Sequence, residues 1–111
     1  MKVEFGNSKL QKLCSSEKAM RKEWGAEMAK RLMQRLADLE AIASLDEARN
    51  LPGRCHELTG DRAGQLAMDL VHPQRLVFKS GTEPKPTNKS GGLDWKQVTA
   101  IRILEIVNYH E

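Results

Sequence analysis

Apolar residues recur along this chain with two different periods, and the period changes at Leu51-Pro52-Gly53. Before that step Met28, Leu32, Leu36, Leu39 and Ala43 stand at helical spacing, flanked by Met33 and Ile42. Lys30, Arg31, Arg35, Asp38 and Glu40 fall between them, so an amphipathic helix is predicted. Leu10, Leu13 and Cys14 keep the same spacing in an earlier helix, which Ser8 and Gln11 open as a capping box. Ser15-Ser16 either break that helix or recap a second piece through Ala19, Met20 and Trp24 to Gly25. Val3-Glu4-Phe5 alternates and predicts a short edge or early strand. The first part of the chain is thus a strand followed by a helical hairpin over residues 8–44.

Beyond the step the pattern is extended. Arg54-Cys55-His56-Glu57-Leu58 predicts one short strand, and residues 59–64 a turn. Residues 65–71 and 75–79 predict a hairpin around His72-Pro73-Gln74, and residues 98–107 a buried, β-branched last strand. Between them, residues 80–94 hold three glycines, two prolines and four charged side chains, a composition that predicts a flexible loop. Trp95 closes that loop as a packing anchor. The fold class is α+β, with helices packed on a twisted, mostly antiparallel sheet.

A length of 111 residues fits one domain, and the 40% apolar share fits a soluble one. No apolar run approaches the ~20 residues of a membrane span. The first residues lack the apolar core of a signal peptide, so the cytoplasm is expected. Cys14 and Cys55 have neither CxxC spacing nor a zinc pattern and read as reduced, packed thiols. The net charge of +3 lies wholly in residues 1–44, with nine Lys/Arg against six Asp/Glu. Residues 45–79 balance five against five, and 80–111 four against four. A basic helical surface suits a polyanion or an acidic partner, and equally a solvated helix face.

Candidate chemistry falls in two places: Arg54, His56 and Arg62 after the Leu-Pro-Gly step, and Asn108-Tyr109-His110 at the end of the last strand. The segment LPGRCHELTGDRAGQLAMDLVHPQRLVF, followed by a strand ending in NYH, resembles the HigB (plasmid maintenance killer) branch of the RelE/ParE toxin superfamily. The likeness covers nearly all of the chain except residues 80–94. It rests on the Leu-Pro-Gly step, a histidine two residues before Leu-x-Gly-Asp, an arginine opening a strand, and the terminal Tyr-His.

The resemblance implies a RelE-like fold and the toxin of a type II toxin-antitoxin system. Such a protein is a ribosome-dependent, metal-independent messenger RNA endoribonuclease, neutralised by a small helix-turn-helix, HigA-like antitoxin. Its reaction is attack of a ribose 2′-hydroxyl on the neighbouring phosphate, which needs proton removal, charge stabilisation and protonation of the departing 5′ oxygen. Carried onto this sequence, the implied catalytic residues are His56, Arg75, Asn108, Tyr109 and His110. Asn108 departs from the family, where an aspartate is common, and an amide cannot take up a proton as a carboxylate does. Arg54, Arg62, Lys30, Arg31 and Arg35 are candidate RNA contacts. Two other readings stand beside this one: a ParE-like gyrase inhibitor, and a non-catalytic member that binds antitoxin or RNA. For Arg75 the structural alternative is an ion pair with Asp69 or Glu57. Strand alternation places Asn108 and His110 on one face and Tyr109 on the other.

Overall fold

The computed structural model describes residues 1–108. Strand β1 (Lys2–Phe5) leads into three helices, α1 (Ser8–Cys14), α2 (Glu17–Trp24) and α3 (Ala26–Ala41). Four strands follow: β2 (His56–Glu57), β3 (Leu66–Asp69), β4 (Gln74–Ser80) and β5 (Ala100–Asn108). They form one sheet in the order β1-β5-β4-β3-β2, with β1 parallel to β5 and the other pairs antiparallel. This is the α+β architecture that the two periodicities predict.

The first arm of the expected helical hairpin is two helices. Ser16 recaps the chain by accepting a hydrogen bond from the Ala19 N–H at 3.2 Å. The cap of α1 is Asn7 rather than Ser8, since the Asn7 side chain accepts from the Leu10 N–H at 2.7 Å. At the other end α3 stops at Ala41, so Ala43 leaves the stripe and is exposed. The remaining stripe residues, Met28, Leu32, Leu36 and Leu39, pack with Leu66, Met68, Leu76, Phe78, Ile101 and Ile103 in one core between the helices and the sheet.

The opposite face of the sheet has no helix on it. Leu58, Ala67 and Val77, with Leu104 and Val107 at their margin, form a small second apolar cluster there. An irregularity in β5 decides what else this open face carries. Val77 pairs with Glu105 while Phe78 pairs with Ile103, so Leu104 is an extra residue, a β-bulge. Ile101 and Ile103 face the core before it, and Ile106 faces the core after it. The bulge has therefore shifted the alternation by one, bringing Glu105 and Val107 onto the open face.

Residues 80–94 double back on themselves through a bridge between Thr87 and Leu93 and a hydrogen bond from Asn88 N–H to Gly92 C=O of 2.8 Å. Trp95 ends the excursion buried, as an anchor should be. Its Nε1–H donates to Glu57 Oε2 at 3.1 Å, and the Arg49 guanidinium lies 3.9 Å from its ring centre. Cys14 and Cys55 are free and partly buried. Among the described residues, no helix is long and apolar enough to cross a membrane.

Candidate functional site

Asp69 is the centre of the polar cluster on the open face. It ends β3 directly opposite Arg75 in β4, and because Met68 and Leu76 beside them face the core, both side chains belong to the other side. Arg75 Nε lies 3.1 Å from Asp69 Oδ1. The approach is out of line, so this contact is coulombic and the buried Nε–H makes no hydrogen bond among the described residues. Arg54 grips the same carboxylate with two bonds, Nε to Oδ2 at 2.7 Å and Nη2 to Oδ1 at 3.1 Å. Burial pushes the Asp69 carboxyl pKa up. The Arg54 hydrogen bonds and the charges of Arg75, Arg54 and His56 outweigh it and hold the pKa below its ordinary value.

The Leu-Pro-Gly-Arg step builds this grip. Gly53 has φ +111° and Arg54 has φ +50°, two consecutive residues in conformations that side chains disfavour. The Gly53 carbonyl accepts from the Asp69 N–H at 2.7 Å, which ties the turn to the end of β3. An extended strand from Arg54, as the sequence predicts, is incompatible with these angles, and β2 shortens to His56–Glu57.

His56 pairs with Ala67 and so shares the face of Asp69 and Arg75. Its Nδ1 lies 2.6 Å from the Arg54 carbonyl oxygen. A carbonyl only accepts, so Nδ1 carries the proton, and in the neutral ring Nε2 is the basic nitrogen. Arg62 reaches Glu105 Oε1 and Gln65 Oε1, each at 3.3 Å. The bulge is what makes Glu105 available to it.

The structure thus brings Arg54, His56, Arg62 and Arg75 together and sets the other candidates apart. Arg35 is 5% exposed and is no surface contact. Its Nε–H donates to the Asp69 carbonyl at 3.0 Å, an acceptor that sequence periodicity cannot show. Burial, then the Arg31 charge, lowers the Arg35 pKa, against Asp38 and Asp69, which raise it. Lys30 and Arg31 sit on α3 in the helical layer, across the sheet from His56 and Arg75. Asn108 pairs with Gln74 and so lies on the side of Leu76, one pleat away from the face of Arg75. Tyr109 and His110 lie outside the described residues. Asp69 is the residue that sequence reasoning undervalued, naming it only as an ion-pair partner. Its signal was an acid and an arginine at facing positions of a predicted hairpin.

No protein-family model matches this chain, and no curated protein matches it in sequence. Among solved structures, a YoeB/ParE toxin from Agrobacterium tumefaciens superposes with a TM-score of 0.58 at 12% identity, over 99% of this chain and 100% of that one. The chain shares its α+β fold with that toxin.

Proposed function

We propose that this chain is the toxin of a type II toxin-antitoxin system, of the HigB kind, and cleaves messenger RNA on the ribosome. The observation that carries this reading is the gathering of His56, Arg54 and Arg75 around Asp69 on the open face of a sheet whose fold is shared with a YoeB/ParE toxin. The partners that follow are the ribosome, its message, and a small helix-turn-helix antitoxin of the HigA kind.

The chemistry starts at His56. With Nδ1 committed to the Arg54 carbonyl, Nε2 of the neutral ring takes the proton of a ribose 2′-hydroxyl. The 2′ oxygen bonds to phosphorus, the bond from phosphorus to the 5′ oxygen breaks, and a 2′,3′-cyclic phosphate and a 5′-hydroxyl result. Arg75 stabilises the phosphorane oxygens, with Arg54 beside it. The proton for the 5′ oxygen and the orientation of the nucleotide are roles that the HigB resemblance assigns to His110 and Tyr109, and His110 reaches this phosphate only if the chain departs from strand alternation after Asn108. Asn108 contributes only amide hydrogen bonds from the end of β5, and Arg62 positions the backbone.

The test is cleavage of a message on programmed ribosomes, mapped by primer extension, beside the same message free in solution. Cleavage only on ribosomes, reduced roughly 10²–10⁴-fold in His56→Ala and in Arg75→Ala with folding intact, is the expected result. Undiminished cleavage in either variant removes that residue from the mechanism. Inhibition of gyrase supercoiling without message cleavage replaces the whole reading with the ParE-like one.

A further inference from the structure

The open face extends beyond the arginines. Arg75, Val77 and Lys79 alternate along β4 onto the same side, so Lys79 stands about 13 Å from Arg75 at ~3.3 Å per residue. Beside Lys79, a groove of about 360 Å³ lies between the turn at residues 63–65 and the segment 79–85, and Lys79, Gln65, Thr82, Glu83 and Lys85 help to line it. Lys85 is held over the turn, with Nζ 3.7 Å from the position a side chain on Gly64 would take.

Charge pairing separates these lysines from the other cations of the face. Arg54 and Arg75 are matched by Asp69, Arg62 by Glu105, and Arg102 by Glu4. Among the described residues, Lys79 and Lys85 have no carboxylate within ion-pair distance, including Glu83 on the groove's rim. The groove's hydroxyls are already used by the backbone. Thr82 Oγ1 accepts from the Thr99 and Ala100 N–H groups at 2.9 and 3.2 Å, and Ser80 Oγ accepts from the Thr82 N–H at 3.2 Å. What remains is two unpaired ammonium groups over a fixed floor, in line with the candidate site.

We infer that this groove holds a second phosphate of the same message strand whose scissile phosphate lies at Arg75. This rests on the proposed function and adds a positioning subsite to it. Lysines are point charges that hold a backbone phosphate without reading a base, so the subsite sets register and not sequence.

The experiment measures kcat and KM for message cleavage on programmed ribosomes over a range of salt, with the intact chain and with Lys79→Ala/Lys85→Ala. It is run on a long message and on messages shortened from either side of the cleavage point, and thermal melting checks that the variant folds. On the long message the variant should raise KM and not lower kcat. Its plot of log kcat/KM against log salt should be shallower by about 0.7 for each phosphate that the lysines no longer neutralise. Shortening the message on one side should reproduce that weakening in the intact chain and add nothing in the variant. Unchanged KM and salt slope overturn the subsite, and so do effects that add, which would mean the lysines touch ribosomal RNA instead. An intact chain that cuts no message overturns the proposed function itself, whereas cleavage with an indifferent variant overturns the subsite alone.

Discussion

Gly53 is the glycine at which an added Cβ would meet its neighbours most closely, and Gly53→Ala measures how much that matters. Its φ of +111° lies outside the range an alanine adopts without strain. A non-glycine residue held left-handed costs about 1–2 kcal/mol. An added Cβ also meets Arg35 Nε at 2.8 Å and Met68 Cε at 3.3 Å. Arg35 is fixed at that point by its bond to the Asp69 carbonyl, so relieving the overlap breaks the bond. A hydrogen bond from a charged donor is worth about 1.5–3 kcal/mol. The two contributions sum to about 2.5–5 kcal/mol, a large part of the ~5–15 kcal/mol that holds a domain of this kind together. Urea unfolding followed by circular dichroism gives the number. Gly60→Ala is the internal control, because Gly60 has φ +64° and nothing within 4 Å of the added Cβ. It should cost only the backbone strain, about 1–2 kcal/mol. Equal losses in the two variants would refute the claim that Arg35 is locked against Gly53.

Other expectations follow from the same geometry. Asp69 has a folded pKa below its unfolded one, so its ion pairs add stability that is full above the ordinary value of 3.8 and is lost as pH falls through the folded value. Asp69→Asn should therefore be less stable than the parent at pH 7, and the gap should close in acid unfolding curves below about pH 4. A gap that does not depend on pH would refute the ion-pair origin. Burial pushes the Cys14 thiol up to about 11 and the Cys55 thiol to about 12, against the charge of Arg49. Both should react with iodoacetamide at pH 8 far more slowly folded than in denaturant, Cys55 the slower, and fast native alkylation of Cys55 would contradict its packing. Asn7→Ala should lower stability by about 1 kcal/mol and Ser8→Ala by much less, as thermal melts would show, and the reverse order would return the cap to Ser8.

The parts of the fold legible in the sequence are those whose signal is local. The Met28, Leu32, Leu36, Leu39 stripe and the 65–79 hairpin follow from periodicity, and both appear in the structure where the spacing puts them. Asn7 and Ser8 are both capping residues, so composition could not choose between them. Arg35 occupies a polar-looking position, yet its long side chain crosses to an acceptor 34 residues away, and no window along the chain contains that bond. The bulge at Leu104 is hidden for another reason. Its only trace is that Ile101-Arg102-Ile103 alternates and Leu104-Glu105-Ile106 then alternates one residue out of step, a slip that two charged residues among aliphatic neighbours make hard to read. The late start of β2, beyond Arg54, depends on two positive φ angles, of which only the glycine was a warning.

Asp69 has a consequence for the traffic of anions at this face. Arg54 and Arg75 do not wait empty, because a carboxylate already lies at 2.7 and 3.1 Å from them. An arriving phosphate must exchange with a resident competitor, and the exchange gains much less than occupation of a vacant pair would. A polyanion that merely diffuses past therefore gains little by binding here. A strand tethered against the face at high effective concentration can win the exchange. On the proposed function, the carboxylate would favour a message strand held against the face over one free in solution, which is a basis for dependence on the ribosome.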